Sequence, residues 1–258
     1  MSALDLIAPV TDRDATITLP ADPWMQGRTL YGGASTLVAY TAAVRRFPDL
    51  PPLRSGQVGF VAPVGETVTT RVAMIRQGRN VAQVRSELLV DEEVALTAFF
   101  LFGTAREANA RHSAPCAEPW PGSPEENADS AIDQAPAFLA NNYEVRRAQD
   151  RGWSGPPVIR RWVRLKAGGG LDPTSRIVLM GDTLPPGAMR AMERPGPLSS
   201  INWTFNLLDP APETRDGWFL TENASVEAAD GYSTERLRMW DADGRQVVAG
   251  QQLVAIFG

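Results

Sequence analysis

Several polar side chains of this 258-residue sequence stand where they could act on a bound substrate. Gln252 lies in a run from residue 247 to 257 that is otherwise apolar apart from Gln251, and Asn202 lies between Ile201 and Trp203. A buried amide needs a hydrogen-bond partner. Each amide is therefore interpreted either as a satisfied core group or as a group that orients a water molecule.

Asp182 follows the apolar residues Leu179 and Met180. Burial in such surroundings raises the pKa of a carboxyl group, and a carboxylate with a raised pKa is a candidate for acid–base catalysis. The alternative is that Asp182 caps or anchors the turn at Pro185 and Pro186.

Tyr31, Gly32 and Gly33 precede a helical pattern. Free N–H groups and the positive end of a helix dipole stabilise an oxygen that develops negative charge, and glycine lets the backbone come close to it. The sequence predicts either an oxyanion site, with these three residues binding substrate, or a simple entry turn.

Arg76 and Arg79 flank a turn that we expect to lie beside the groove for the substrate. Guanidinium groups pair well with phosphate groups, which makes both residues candidates for substrate binding. Surface solubility is the other explanation for their presence.

Other hydrolytic machinery does not fit the sequence. The only histidine, His112, lies in a Pro-rich segment, and Cys116 is the only cysteine. A Ser–His–Asp or Cys–His mechanism would have to recruit that segment, and a cysteine-rich zinc site is excluded by count. The sequence has no Gly-x-Ser-x-Gly elbow, Walker loop or Rossmann glycine pattern.

Charge and hydropathy limit the partners and the compartment. The net charge of -5 leaves no basic field for nucleic acid. No stretch approaches 18 apolar residues, and the first 11 residues lack the pattern of a secretory leader. We therefore expect a cytoplasmic protein that binds neither nucleic acid nor membrane.

The elements that must position these residues occur twice. A helical stripe at 34–46 is followed by strand patterns at 56–62, 67–76, 81–90 and 94–102. After a Pro-rich segment come strands at 143–147 and 158–166, and then a helix that begins at Asp172 and Pro173 and ends before Pro185. Further strands follow at 199–207, 218–228, 232–240 and 247–257. This order is an internal repeat.

A long helix followed by an antiparallel meander is expected to be wrapped by its own sheet. The repeat therefore predicts an α+β tandem (double) hotdog fold. We assign residues 1–105 to the N-terminal hotdog, 106–135 to a Pro-rich linker and 136–258 to the C-terminal hotdog.

Four segments, at residues 24–33, 76–79, 179–186 and 241–252, occur in this order around the two helices. Together they resemble acyl-CoA thioesterase II and its shorter bacterial relatives, and the resemblance covers both halves. It implies hydrolysis of an acyl-CoA to a free acid and CoA by a positioned water. It implies no metal and no cofactor other than the CoA of the substrate.

In that family an Asp, a Thr or Ser, and a Gln of the second hotdog hold the water. Gln252, eight residues after Gly244, matches the Gln. The Asp position falls on Asn202, and the hydroxyl position falls near Ser225. Because Asn cannot act as a base, Asp182 is a second candidate for the carboxylate.

The resemblance leaves two functions open. The first is an acyl-CoA thioesterase, and the alternative is a protein of the same fold that binds acyl-CoA or an acyl carrier without hydrolysis. A hotdog hydratase would need an Asp and His pair, and no histidine lies outside the Pro-rich segment. Two hotdogs in one chain supply their own helix pairing, so the chain could stand alone or form a homo-oligomer.

Overall fold

The structure is a computed structural model that describes residues 2–130, 135–149 and 155–257. The elements of the N-terminal half are α1 (Ala3–Ile7), β1 (Ala15–Thr18), β2 (Met25–Gln26), β3 (Thr29–Leu30), α2 (Gly32–Arg46), β4 (Leu53–Phe60), β5 (Thr67–Gln77), β6 (Val81–Val90) and β7 (Glu93–Gly103). Those of the C-terminal half are α3 (Ala137–Asn142), β8 (Tyr143–Arg147), β9 (Val158–Leu165), α4 (Pro173–Met180), β10 (Leu198–Leu207), β11 (Phe219–Ala229), β12 (Tyr232–Asp241) and β13 (Gln246–Ile256).

Eleven strands form one antiparallel sheet in the order β1-β5-β6-β7-β4-β10-β13-β12-β11-β9-β8. The two halves join where β4 pairs with β10, with Val58 opposite Trp203. Outward from this pair, β7, β6 and β5 on one side correspond to β13, β12 and β11 on the other. The predicted tandem hotdog fold is therefore confirmed.

The strands agree with the sequence-based ranges to within about three residues. Alternation of inward apolar and outward polar residues explains this agreement, since it is the direct signature of a sheet with one covered face. The sequence patterns did not predict α1, β1, β2, β3 and α3, which are short elements at the ends of each half.

The two longer helices, α2 and α4, lie under the sheet and contact each other. Residues 33–43 of α2 are all buried, and Gly33 brings its backbone close to the end of α4. A Cβ at Gly33 would lie 2.1 Å from the carbonyl oxygen of Leu179. Within the described residues, no helix is long and apolar enough to cross a membrane.

Helix α4 is shorter than the sequence indicated. Asp172 caps it as predicted, because its carboxylate accepts a hydrogen bond from the Ser175 N–H at 3.0 Å. The helix ends at Met180 rather than continuing toward Pro185, and the Thr183 hydroxyl donates to the Met180 carbonyl instead. Asp182 thus lies in the turn after the helix and not on it.

Part of the predicted linker packs on the outer face of the C-terminal half of the sheet. Ala117 is buried there, and the ring of Trp120 lies 5.4 Å from that of Trp162. The Trp240 indole donates to the carbonyl oxygen of Pro115, and Arg160 donates to that of Pro119. The segment therefore covers a second, smaller apolar cluster that would otherwise face solvent.

Replacing Gly33 with alanine should destabilise the fold by more than about 2 kcal/mol, because the added methyl group would meet a backbone carbonyl that cannot move alone. Gly65→Ala is the matched control, since nothing lies within 4 Å of a Cβ at that position. Urea unfolding of both variants measures the difference. Equal stabilities for the two variants would contradict the close helix contact.

Candidate active site

Asp182 and Gln252 form the polar centre of the site. The Gln252 side chain is 3% exposed, and its Nε2 donates to Oδ1 of Asp182 at 2.9 Å. Gln252 lies on the inner face of β13, opposite Trp203 of β10. The structure therefore brings together two of the residues that the sequence singled out, from positions 70 residues apart.

The first residue of α2 lies directly against this carboxylate. A Cβ at Gly32 would lie 2.0 Å from Oδ2 of Asp182 and 2.8 Å from the ring of Phe60. The carbonyl oxygen of Tyr31 accepts from Ala34 and Ser35, so the N–H groups of Gly32 and Gly33 precede the first intrahelical bonds. The positive end of α2 thus begins beside Asp182, with two N–H groups that have no intrahelical partner.

Burial raises the pKa of Asp182 to about 7, against the lowering effect of the hydrogen bond from Gln252. As a whole residue Asp182 is half-buried. Near neutral pH such a carboxyl group exists in both protonation states. It can accept a proton from water and return it later, which is the requirement for a general base and acid.

Tyr31 is not an exposed substrate contact. It is 1% exposed, its ring stacks on Phe138 with centroids 4.2 Å apart, and its hydroxyl donates to the Leu179 carbonyl at 2.7 Å. Its hydroxyl also bonds to that of Tyr143. Burial raises the pKa of both phenols far above the usual range, so they remain neutral. Tyr31 therefore holds the start of α2 against the end of α4.

Asn202 lies on the other face of the sheet from Gln252. It is exposed, and its Oδ1 accepts from the Leu253 N–H at 3.1 Å. A bulge between Ser200 and Asn202 instead places Ser200 opposite Val254, on the inner face that carries Gln252. The sequence did not single out Ser200, because the bulge shifts the alternation by one residue.

Ser225 belongs to a separate buried network. Its hydroxyl bonds to that of Ser233 at 2.8 Å, and Ser233 donates to Glu235 at 2.6 Å. Glu235 is fully buried, lies directly opposite Gln252 in the sheet, and also accepts from the N–H groups of Gly187 and Ala188 at 2.8 and 3.1 Å. The segment that follows Asp182 is therefore tied to β12.

The sequence analysis missed Glu235. A charged residue at an inward position of the alternating strand β12 was the available signal, because residues 233, 235, 237 and 239 all face the core. Asn223 strengthens the same anchor by donating to the carbonyl oxygens of Leu184 and Pro185.

Arg76 and Arg79 lie at the far end of the sheet. Arg76 pairs with Gln83 at the β5–β6 hairpin, and this hairpin adjoins Gly103, near the C-terminal end of α2. Asp182 lies at the N-terminal end of the same 15-residue helix, which is about 22 Å long. The structure does not bring the two arginines to Asp182.

His112 and Cys116 are exposed in the Pro-rich segment. Among the residues that the structure describes, no group of three or more His, Cys, Asp or Glu side chains could hold a metal ion.

Comparisons with known proteins identify the family of this chain. Residues 20–103 match the family model of the acyl-CoA thioesterase N-terminal domain, and residues 114–256 match that of the acyl-CoA thioesterase C-terminal domain. The chain belongs to the acyl-CoA thioesterase II family. A search of curated protein sequences found no match.

Solved structures share the whole double-hotdog arrangement of this thioesterase-family chain. A candidate thioesterase from Novosphingobium aromaticivorans DSM 12444 is 26% identical, with a TM-score of 0.80 over 96% of this chain and 97% of that one. The tesB protein of Mycobacterium avium subs paratuberculosis is 18% identical, with a TM-score of 0.78 over 100% of both chains. A hot dog fold protein of unknown function from Alicyclobacillus acidocaldarius is 18% identical, with a TM-score of 0.81 over 96% and 97%.

The N-terminal half of this family member lacks the polar groups of the C-terminal half. Glu235 of β12 lies opposite Gln252 of β13, and the equivalent pair in the N-terminal half is Val84 of β6 opposite Phe100 of β7. Val84 and Phe100 are fully buried. The N-terminal counterparts of the Gln252 and Glu235 positions are thus apolar.

Replacing Asp182 with asparagine should stabilise the fold increasingly as pH rises. Because the folded-state pKa is raised, the folded protein keeps its proton while the unfolded chain ionises, and stability falls between about pH 4 and pH 7. An asparagine side chain at this position cannot ionise and so avoids a cost on the order of 3 kcal/mol at pH 8. Thermal unfolding of wild type and Asp182→Asn at pH 5 and pH 8 measures this difference.

Asp12→Asn removes an exposed carboxylate and controls for the change in net charge. If the difference in stability between Asp182→Asn and the wild type were the same at pH 5 and pH 8, Asp182 would ionise normally in the folded protein.

Proposed function

We propose that this chain hydrolyses the thioester of an acyl-CoA to a free acid and CoA. The observation that carries the proposal is the contact between Asp182 and Gln252 beside the first residue of α2. A carboxyl group, an amide and the N-terminal end of a helix meet there, and a water-mediated thioester cleavage needs a base, a group that orients the water and N–H donors for the oxyanion. Membership of the thioesterase family supports the choice of substrate.

Asp182 acts first as the base. Its carboxylate takes a proton from a water molecule, and the water oxygen attacks the thioester carbonyl carbon to form a tetrahedral intermediate. The Gln252 amide, already bonded to Asp182, orients the carboxylate and the water. The intermediate's oxyanion receives hydrogen bonds from the N–H groups at the start of α2.

Asp182 then acts as the acid. The carbonyl re-forms, the carbon–sulfur bond breaks, and the proton held by Asp182 passes to the departing thiolate of CoA. The carboxylate returns to its ionised form and the acid product leaves. A pKa near 7 suits both halves of this cycle, because proton uptake and release are then nearly balanced at neutral pH.

Asp182 fills the role that the resemblance assigned to the position of Asn202. An Asn in place of the family's Asp cannot act as a base, which is why a protein that binds without hydrolysis is the alternative. In the structure Asn202 also faces the other side of the sheet. A buried carboxylate bonded to Gln252 removes that difficulty. Ser200, on the same sheet face as Gln252, is our candidate for the hydroxyl position.

Thiol release from a panel of acyl-CoA substrates tests the proposal. Asp182→Asn should lower kcat by more than about 100-fold because the base is lost, and Gln252→Ala should lower it by about 10- to 1,000-fold. In the wild type, log kcat/KM should rise with pH and level off above about 7, since only ionised Asp182 is active.

Asn202→Ala is the matched amide control and should retain kcat to within about threefold, because exposed substitutions away from the site have small effects. Saturable binding of acyl-CoA by the wild type with no thiol release on any substrate would refute hydrolysis and favour a binding protein.

Glu235→Gln should lower kcat by about 10- to 100-fold while KM changes little. The carboxylate of Glu235 accepts from Gly187, Ala188 and Ser233, whereas the NH2 group of a glutamine would face one of these donors. The segment after Asp182 would therefore shift. A displacement of about 1 Å can lower the rate 100-fold. Steady-state kinetics and the pH profile of kcat/KM measure the effect.

Glu222→Gln is the control for Glu235→Gln. Glu222 is equally buried and sits on the neighbouring strand, but its partners are Arg160 and Arg238 on the outer face. If both variants lose stability and rate in proportion, Glu235 only supports the fold and does not position Asp182.

A further inference from the structure

Two arginines face each other on the inner side of the β8–β9 edge. Arg147 and Arg161 are directly paired in the strand register, and both are half-buried. The buried residues Val145 and Val163, two positions away in each strand, lie in the main core and identify this face as the inner one. Like charges placed directly opposite each other destabilise a sheet, so this pair calls for an explanation.

A third guanidinium joins them from the segment that follows Asp182. Arg190 belongs to a 3-10 helix at Gly187–Ala191, and its Nη1 donates to the Val158 carbonyl of β9 at 2.8 Å. Burial, and then the charges of Arg190 and Arg147, lower the pKa of Arg161. Three cationic side chains are therefore close enough to repel one another.

The arginines on the outer face of β8 and β9 form ion pairs, and the two on the inner face do not among the described residues. On the outer face Arg146, Arg160 and Arg164 pair with Asp129, Glu222 and Glu144, respectively. Within the described part of the chain, no carboxylate lies within 4.0 Å of the guanidinium groups of Arg147 or Arg161. Among the described residues, the Arg161 guanidinium donates only to the backbone carbonyl of Arg160. Arg147 and Arg161 thus have N–H groups that could bind an anion, and the described part of the protein supplies no carboxylate to them.

The cluster is connected to the active site on two sides. Tyr143, the first residue of β8, bonds to Tyr31 next to Gly32, and Arg147 follows four residues later, about 13 Å along the strand. The 3-10 helix that carries Arg190 begins at Gly187, whose N–H donates to Glu235, the residue opposite Gln252 in the sheet. A ligand with a thioester at Asp182 and anionic groups at the end of a long arm matches this separation.

We propose that Arg147 and Arg161, the directly paired arginines beside Arg190, bind the phosphate groups of CoA while its thioester lies at Asp182. This inference rests on the proposed function, because it assumes that the substrate is an acyl-CoA. Guanidinium groups bind phosphate through two parallel hydrogen bonds, and a bound phosphate would offset the repulsion between Arg147 and Arg161. Arg76 and Arg79, at the far end of α2, are the rival phosphate site.

The test compares an acyl-CoA with the acyl-pantetheine that carries the same acyl group and no phosphate. The Arg147→Gln/Arg161→Gln double variant should raise KM for the acyl-CoA by about tenfold or more and leave kcat little changed, since a lost hydrogen bond to a charged group has an effect of this size. Kinetics on the acyl-pantetheine should be unchanged. KM for the acyl-CoA should also depend less steeply on salt than in the wild type.

Two further variants sharpen the comparison. Arg164→Gln removes a cation from β9 on its outer face and should leave both substrates unaffected. An equal loss on both substrates in the double variant would mean that the arginines only support the fold, and it would overturn the proposal. A selective loss on the acyl-CoA in Arg76→Gln/Arg79→Gln, with none in Arg147→Gln/Arg161→Gln, would move the phosphate site to the hairpin.

The proposal can be separated from hydrolysis itself. If the wild type releases no thiol from either substrate, the proposed function has failed. Calorimetric titration with free CoA then still tests the arginines, because weaker binding by Arg147→Gln/Arg161→Gln than by Arg164→Gln supports the phosphate site and equal binding refutes it.

Discussion

The contact between the first turn of α2 and the last turn of α4 determines the rest of the site. It requires two consecutive glycines, because a Cβ at Gly33 would collide with the Leu179 carbonyl and a Cβ at Gly32 would collide with the Asp182 carboxylate. Tyr31 fixes the same contact by donating to the Leu179 carbonyl. The carboxylate of Asp182 is thereby held between the end of α4 and the start of α2.

This contact also explains the electrostatics. Two buried or half-buried carboxyl groups of the C-terminal half have different surroundings. Burial alone would raise the pKa of Glu222, but hydrogen bonds from Arg238 and Arg160 lower it overall. Asp182 has no such cation among the described residues, and a single amide bond from Gln252 does not offset its burial. The carboxyl group that we propose as the base therefore lacks a counter-ion among the described residues, which costs stability and raises its pKa toward neutral pH.

The sequence predicted the strands well and the site only in part, for identifiable reasons. Strand alternation is local, so the pairing of β4 to β7 and of β10 to β13 followed from it. The partner of Asp182 is non-local: Gln252 is 70 residues away and Gly32 lies in the other half. The resemblance pointed to Asn202 from its place in the strand. The bulge after Ser200 turns Ser200 inward, which alternation counted from Trp203 does not predict.

The same reasoning applies to the Pro-rich segment. Its lack of apolar periodicity indicated a linker, but irregular backbone can still bury isolated side chains. Ala117 and Trp120 dock on the outer tryptophans, and backbone carbonyls at Pro115 and Pro119 satisfy Trp240 and Arg160. Such contacts follow no period, so a pattern search does not detect them.

An internal repeat would be expected to yield two equivalent sites, and the structure explains why this chain has the groups for one. At the N-terminal end of α4, the equivalent position in the other half, the Ser175 N–H already donates to the Asp172 side chain. Pro173, the first residue of α4, has no N–H. Val84 and Phe100 replace the polar pair there. The remaining site takes its N–H donors from the N-terminal hotdog and its carboxylate and amide from the C-terminal one. Neither half holds the full set of groups, so the proposed hydrolysis needs both copies of the repeat in one chain.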